Sequence, residues 1–126
     1  MGKLPAEWLA QADYDFDTAE YMFRGGRYIY AVFMAHLAIE KGLKAIWQAK
    51  LAGTPPKIHN LLYLVQRIGV TPPQHVHDIL ATLSGVSVPT RYPDNLQKVL
   101  RDYTEDKTRR LLVDAKEALT WIRTRL

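Results

Sequence analysis

The side chains best suited to chemistry in this sequence are two lysines, a histidine, an arginine and a tyrosine. Lys41 and Lys44 are three residues apart in an otherwise apolar stretch, so they share one face of a predicted helix. His59 follows a double proline, and Arg91 and Tyr92 lie between two further prolines. Arginine can hold a phosphate or carboxylate through two hydrogen bonds, tyrosine can stack on a base, and histidine can transfer a proton near neutral pH. These five residues are the candidates for a phosphate-binding site.

Each of these side chains also has a purely structural interpretation. Lys41 can lie along the surface with only its ammonium in water. His59 can cap or pack, and Arg91 can hold its loop against the carboxylates of the first helix. From spacing alone the structural interpretation is favoured.

Metal centres and other catalytic motifs find little support. The chain has no cysteine, no Glu-x-x-His, no His-Glu-x-x-His and no glycine-rich phosphate loop. His36 and Glu40 are one helical turn apart, but two ligands are too few for a metal, so we interpret them as a hydrogen bond or ion pair on a helix surface. His75 and His77 are interpreted as surface histidines. The sequence predicts no metal and no other cofactor.

Length and composition indicate one globular domain spanning residues 1–126, with 48% apolar and 24% charged residues. No apolar run approaches the roughly 20 residues of a membrane span, and the first residues do not resemble a signal peptide, so we expect a cytoplasmic protein without membrane contact. The net charge is +4, although the first twenty residues contain one lysine against five carboxylates. The basic remainder can attract phosphate-bearing partners, but interleaved acidic residues favour a solvated helix face.

Apolar periodicity, proline and glycine predict an all-α fold with no strand. The second helix is apolar around most of its girth, so it should be central. Gly69 should end the third helix, and Thr71 should cap the fourth. The predicted helices lie at about 5–24, 27–52, 57–69, 72–84 and 105–126, with a loop over 85–94 and a short helix over 95–103. Short connections then predict an antiparallel up-and-down helical bundle of four to five helices.

Five separated segments resemble the HEPN domain family. Residues 31–45 read AVFMAHLAIEKGLKA, which resembles the family signature A-x-F-x-x-x-x-A-x-E-K-x-L-K-A. Residues 59–64 resemble an H-x-L-x-x-L step, and residues 91–94 read RYPD, like a family loop. The segments 13–19 and 118–122 resemble the first and closing helices. The resemblance covers nearly the whole chain in the family's order.

The resemblance implies a helical bundle of a kind that often dimerises and is linked with nucleotide binding and RNA metabolism. Small stand-alone prokaryotic members are often encoded beside a minimal nucleotidyltransferase in toxin–antitoxin-like pairs. Many members are metal-independent ribonucleases with an Arg-x(4–6)-His motif, in which histidine transfers protons and arginine stabilises the phosphate. This chain departs from that motif: its nearest pair, Arg67 and His75, has seven intervening residues. The family's ribonuclease activity is therefore not carried over.

Three functions follow as expectations. The first is a module that binds a nucleotide or nucleic-acid phosphate and acts with a nucleotidyltransferase partner. Its cleft would be formed by Lys41, Lys44, His59, Arg91 and Tyr92. Alternatively, Tyr92 would be the residue that the partner modifies. The second is a metal-independent ribonuclease with His59 and Arg91 as catalytic residues. The third is a purely structural dimerisation or adaptor bundle. A homodimer is expected in the first and third.

Overall fold

The computed structural model describes residues 3–51 and 53–126. This part of the chain is all-helical, without strands, which confirms the predicted fold class. It contains six helices, one more than the four to five that the sequence predicts. The helices are α1 (Pro5–Arg24), α2 (Tyr28–Leu51), α3 (Leu61–Ile68), α4 (Gln74–Arg91), α5 (Leu96–Asp102) and α6 (Glu105–Arg123). None of these helices is long and apolar enough to cross a membrane.

Helix α2 is the centre of the bundle, as its apolar girth predicts. It packs against every other helix of the described chain. Ala35, Ile39 and Leu43 are completely buried on it. Gly42 lets α6 approach closely, because a Cβ atom there would lie 3.2 Å from the Ile122 side chain. Side chains that point from α2 towards the neighbouring helices are therefore held in fixed positions.

The start of α3 differs from the prediction. The helix begins at Leu61, because the Asn60 side chain accepts a hydrogen bond from the backbone N–H of Tyr63 at 3.0 Å and so caps the first turn. His59 therefore lies before the helix and not in its first turn. The predicted glycine end is confirmed: Gly69 has a φ of 82°, in the left-handed region. Thr71 is not the cap of α4, which begins later, after Pro73.

Helix α4 is longer than the sequence predicts. The predicted boundaries, a helix over 72–84 and a loop over 85–94, are wrong. Helix α4 begins at Gln74 and continues through Pro89 to Arg91. The predicted short helix over 95–103 is confirmed as α5, with Asn95 as its cap.

Tertiary packing accounts for the longer α4. Pro89 removes one helical hydrogen bond, that to the carbonyl of Gly85. However, the turn around it is held by buried side chains, including Val86 and the fully buried Thr90. The Thr90 hydroxyl also donates to the Val86 carbonyl at 2.7 Å. Arg91 is consequently placed at the end of a packed helix instead of on a loop.

Candidate functional site

A buried polar row runs along α2. His36, Glu40 and Lys44 are spaced by four residues, so they lie one above another on one face. Their exposed fractions are 0%, 3% and 6%. The Lys44 Nζ donates to Glu40 Oε2 at 2.9 Å. Because an unpaired charge in an apolar interior is strongly unfavourable, each of these two charges requires the other.

His59 is held by two members of this row. Its Nδ1 lies 2.8 Å from Glu40 Oε1, and its backbone carbonyl accepts a hydrogen bond from His36 Nε2 at 3.0 Å. The carboxylate oxygen is an acceptor, so it assigns the imidazole proton of neutral His59 to Nδ1. The other nitrogen, Nε2, then carries a lone pair. The side chain of His59 is 48% exposed, so a ligand can reach the imidazole ring.

Arg91, at the end of α4, joins His36, Glu40, Lys44 and His59 to form one cluster of polar side chains. Its Nη1 lies 3.5 Å from His59 Nε2, and its guanidinium lies over the Phe33 ring, 4.7 Å from the centroid. Over residues 3–51 and 53–126, no carboxylate oxygen lies within 4 Å of this guanidinium. Since Glu40 is balanced by Lys44, the positive charge of Arg91 is not cancelled inside the cluster.

His36 is neutral in the fold. Burial lowers its pKa, an effect that the nearby Glu40 carboxylate opposes. Its Nε2–H is used by the His59 carbonyl, while its buried Nδ1 has no hydrogen-bond partner and lies 4.0 Å from Glu40 Oε1. His36 thus anchors the main chain of His59 without adding a charge.

The structure brings together only part of the predicted site. His59 and Arg91 are adjacent, and Lys44 joins them through Glu40, but its ammonium faces the interior. Lys41 is paired elsewhere, with Asp15 of α1 at 2.9 Å. Lys41 and Lys44 as phosphate ligands stay predictions, and in the structure each cation already has a carboxylate partner.

Two further placements concern Arg91 and Tyr92. The Arg91 side chain contacts Phe33 and His59, so the interpretation that it holds a loop against the carboxylates of α1 is wrong. Tyr92 is the C-cap of α4 and is 70% exposed. It lines a cavity that Arg91 does not line.

The roles of His36 and Glu40 were not predicted from the sequence. Both residues were expected on a helix surface, whereas in the structure both are buried beside His59. The available signal was the four-residue spacing of three polar residues, including Lys44, in a helix that is otherwise mostly apolar. No group of three or more potential ligands that could hold a metal occurs in the part of the chain that the structure describes.

The family model of the HEPN domain matches residues 5–125. The chain belongs to the HEPN domain family. Two solved structures resemble this HEPN domain at 27% identity each. They are TT1696 from Thermus thermophilus, with a TM-score of 0.84 over 97% of this chain and 98% of that one, and ST0689, an archaeal HEPN homologue, with a TM-score of 0.78 over 97% of both chains. No curated protein matches the chain.

Three of the segments that carry the resemblance meet at the cluster of this HEPN domain. Phe33, Glu40 and Lys44 belong to the signature helix, His59 to the H-x-L step and Arg91 to the RYPD segment. Side chains from three separated parts of the sequence therefore contact one another in a single place.

Proposed function

We propose that this HEPN domain binds the phosphate of a nucleotide or nucleic acid at Arg91 and His59. The observation that carries the proposal is the guanidinium of Arg91, which has no carboxylate partner within the described residues and lies beside Nε2 of the half-exposed His59. A guanidinium held over an aromatic ring is preorganised, so less conformational entropy is lost when it binds an anion.

The buried row supports this proposal through its charge balance. If Glu40 were unpaired, its negative charge would repel a phosphate next to Arg91. Lys44 neutralises Glu40 from the interior side at 2.9 Å, so an approaching anion meets the positive charge of Arg91. The Nε2 of His59 lies 3.5 Å from Arg91 Nη1 and can donate to the same anion when it carries a proton.

A binding titration of Arg91→Ala tests the proposal. ATP and a short single-stranded RNA are titrated into the protein at low and at moderate salt, with Arg67→Ala, which removes an exposed arginine at the end of α3, as the matched control. Because a hydrogen bond to a charged group is worth about 1.5–3 kcal/mol, we expect Arg91→Ala to bind about 10- to 150-fold more weakly. Equal affinities for wild type, Arg91→Ala and Arg67→Ala would contradict the proposal.

The proposed function also includes protein partners. The resemblance to small stand-alone HEPN proteins supports a homodimer and a nucleotidyltransferase that acts with it in a toxin–antitoxin-like pair. Light scattering measures the first, and co-purification with a co-expressed nucleotidyltransferase measures the second. Intact mass after incubation with that enzyme and ATP tests whether Tyr92 is modified.

A second candidate, metal-independent RNA cleavage, is favoured by the orientation of His59. Glu40 fixes the imidazole so that Nε2 faces Arg91, which is the arrangement of a general base beside a phosphate-stabilising cation. His59 would take the proton of a 2′-hydroxyl, whose oxygen attacks the adjacent phosphorus. The 5′-oxygen would leave with a proton from water, giving a 2′,3′-cyclic phosphate.

Cleavage assays in EDTA separate the two candidates. For a ribonuclease we expect His59→Ala to lose activity by about 10²- to 10⁴-fold. The exposed histidine variant His77→Ala should cleave like the wild type. RNA that is bound but not cleaved by the wild type would exclude this candidate and leave the phosphate site in place.

A further inference from the structure

A cavity lies beside the last turn of α4, where Val88 and Pro89 line it before Arg91 and Tyr92 lines it after Arg91. It lies between the C-terminal end of α4 and helices α5 and α6, and its volume is about 670 Å³, within the range of ligand sites. Val88 and Tyr92 form an outer wall, with exposed fractions of 67% and 70%. The buried side chains of Val99 and Tyr103 also line it. Large apolar side chains left in water beside a cavity indicate a surface that binds something.

The polar groups of the cavity complement its apolar walls. Lys98 pairs with Asp102 at 3.1 Å, and the Lys107 ammonium lies 4.7 Å from the centre of the Tyr103 ring. Asn95 also lines the cavity. Such a site suits a flat ligand with apolar faces and hydrogen-bonding edges. A nucleobase has this character, and an exposed tyrosine can stack on it.

The chain connects this cavity directly to the phosphate site. Arg91 and Tyr92 are consecutive, so their Cα atoms are about 3.8 Å apart. The Arg91 side chain contacts His59 and Phe33, whereas Tyr92 lines the cavity. One nucleic-acid strand can therefore place a phosphate on Arg91 and a neighbouring base against Tyr92.

We propose that the cavity holds an unpaired base of single-stranded nucleic acid, stacked on Tyr92, while the phosphate of the same strand lies on Arg91. This inference rests on the proposed phosphate site and gives its ligand class. It requires an unstacked base, so a single strand binds and a duplex does not. Bases of any identity are accepted, because stacking uses the face common to all of them.

The test compares a labelled single-stranded RNA hexamer with an abasic hexamer of the same charge, by fluorescence anisotropy. Tyr92→Ala should bind the RNA about 5- to 150-fold more weakly, which corresponds to 1–3 kcal/mol of stacking for one base. It should bind the abasic strand like the wild type. Tyr92→Trp should retain RNA binding. Tyr14→Ala, which removes an equally exposed tyrosine from α1, is the matched control and should change neither affinity.

The outcomes separate this inference from the proposed function. If RNA and abasic strands bind equally well, and Arg91→Ala weakens both, the base site is refuted and the phosphate site stands. If Arg91→Ala leaves RNA binding unchanged, the phosphate site is refuted, and the strand path described here fails with it. Light scattering on Tyr92→Ala and Val88→Ser tests whether the cavity instead binds a second copy of the chain. The proposal would be overturned if these variants convert a dimer to a monomer and the affinity for RNA relative to the abasic strand is unchanged.

Discussion

The pair formed by Glu40 and Lys44 leads to a quantitative prediction about stability. In Glu40→Leu the Lys44 ammonium loses its carboxylate acceptor while it stays buried, with 7% of its side chain exposed. Removing one partner of a buried ion pair costs about 3–5 kcal/mol, because the other charge is left uncompensated. His59 loses a partner too, but it is half-exposed and can use water instead. The loss should therefore come mainly from Lys44.

The double variant Glu40→Leu, Lys44→Met tests that assignment. Replacing both members of a buried ion pair by apolar residues of similar size is often neutral or stabilising. We therefore expect the double variant to unfold within about 1–2 kcal/mol of the wild type, so that the second substitution recovers most of the stability lost in the first. The double variant still lacks the carboxylate that orients His59. Because His59 is no longer oriented, phosphate ligands should bind more weakly to the double variant than to the wild type, although its stability is recovered. This difference separates the stabilising role of Glu40 from its role in the site.

Urea unfolding followed by far-ultraviolet circular dichroism is the appropriate assay. The Lys44 ammonium lies 5.9 Å from the centre of the Trp8 ring, so tryptophan fluorescence would respond to the substitution itself. For a chain of this size a loss of 3–5 kcal/mol also lowers the melting temperature by roughly 10 °C or more. A Glu40→Leu variant within about 1 kcal/mol of the wild type would refute the reasoning. A double variant whose loss equals the sum of the two single losses would refute the coupling.

Three further predictions concern other positions of the bundle. Burial lowers the pKa of His36 from 6.5, so below pH 6.5 the unfolded chain binds a proton that the folded chain does not. The free energy of unfolding should fall as the pH drops from 6.5 towards the folded-state pKa, by up to about 1.4 kcal/mol per pH unit. His36→Gln should make this pH dependence shallower in unfolding titrations. The same slope in His36→Gln and the wild type would contradict the prediction. Gly42→Leu should lose about 1–3 kcal/mol or more in thermal unfolding, because its side chain would overlap Ile122; an unchanged melting temperature speaks against this packing. Gly69→Ala should lower the free energy of unfolding by about 1–2 kcal/mol, because Gly69 has a positive φ. Gly85→Ala, in a helix with open space around the new Cβ atom, should raise it by about 0.5–1 kcal/mol. A change of the same sign in both variants would refute the assignment.

The central position of α2 could be predicted from sequence because it depends on a local property, the apolar character of most of its girth. The end of α4 could not. Gly85 and Pro89 are local signals for a loop, and they are outweighed by the burial of Val86, Ser87 and Thr90. That burial depends on helices distant in sequence, so no local pattern contains it.

The candidate site shows the same division. The sequence identified His59 and Arg91 by residue type and by their resemblance to family segments. It did not bring them together with Glu40, because their contacts span 19 and 32 positions of the chain. It also treated Lys41 and Lys44 as equivalent, although a modest rotation around α2 decides whether a lysine meets Asp15 of α1 or Glu40.

The burial of the Lys44 amine also determines how the protein reacts with acylating reagents. An amine that is hidden from solvent and hydrogen-bonded to Glu40 is shielded from such a reagent, whereas the exposed Lys57 reacts freely. Lys44 becomes reactive only when the bundle opens around it. The ratio of Lys44 to Lys57 acylation, followed by mass spectrometry over time, therefore measures how often this part of the native protein opens, without any amino-acid substitution.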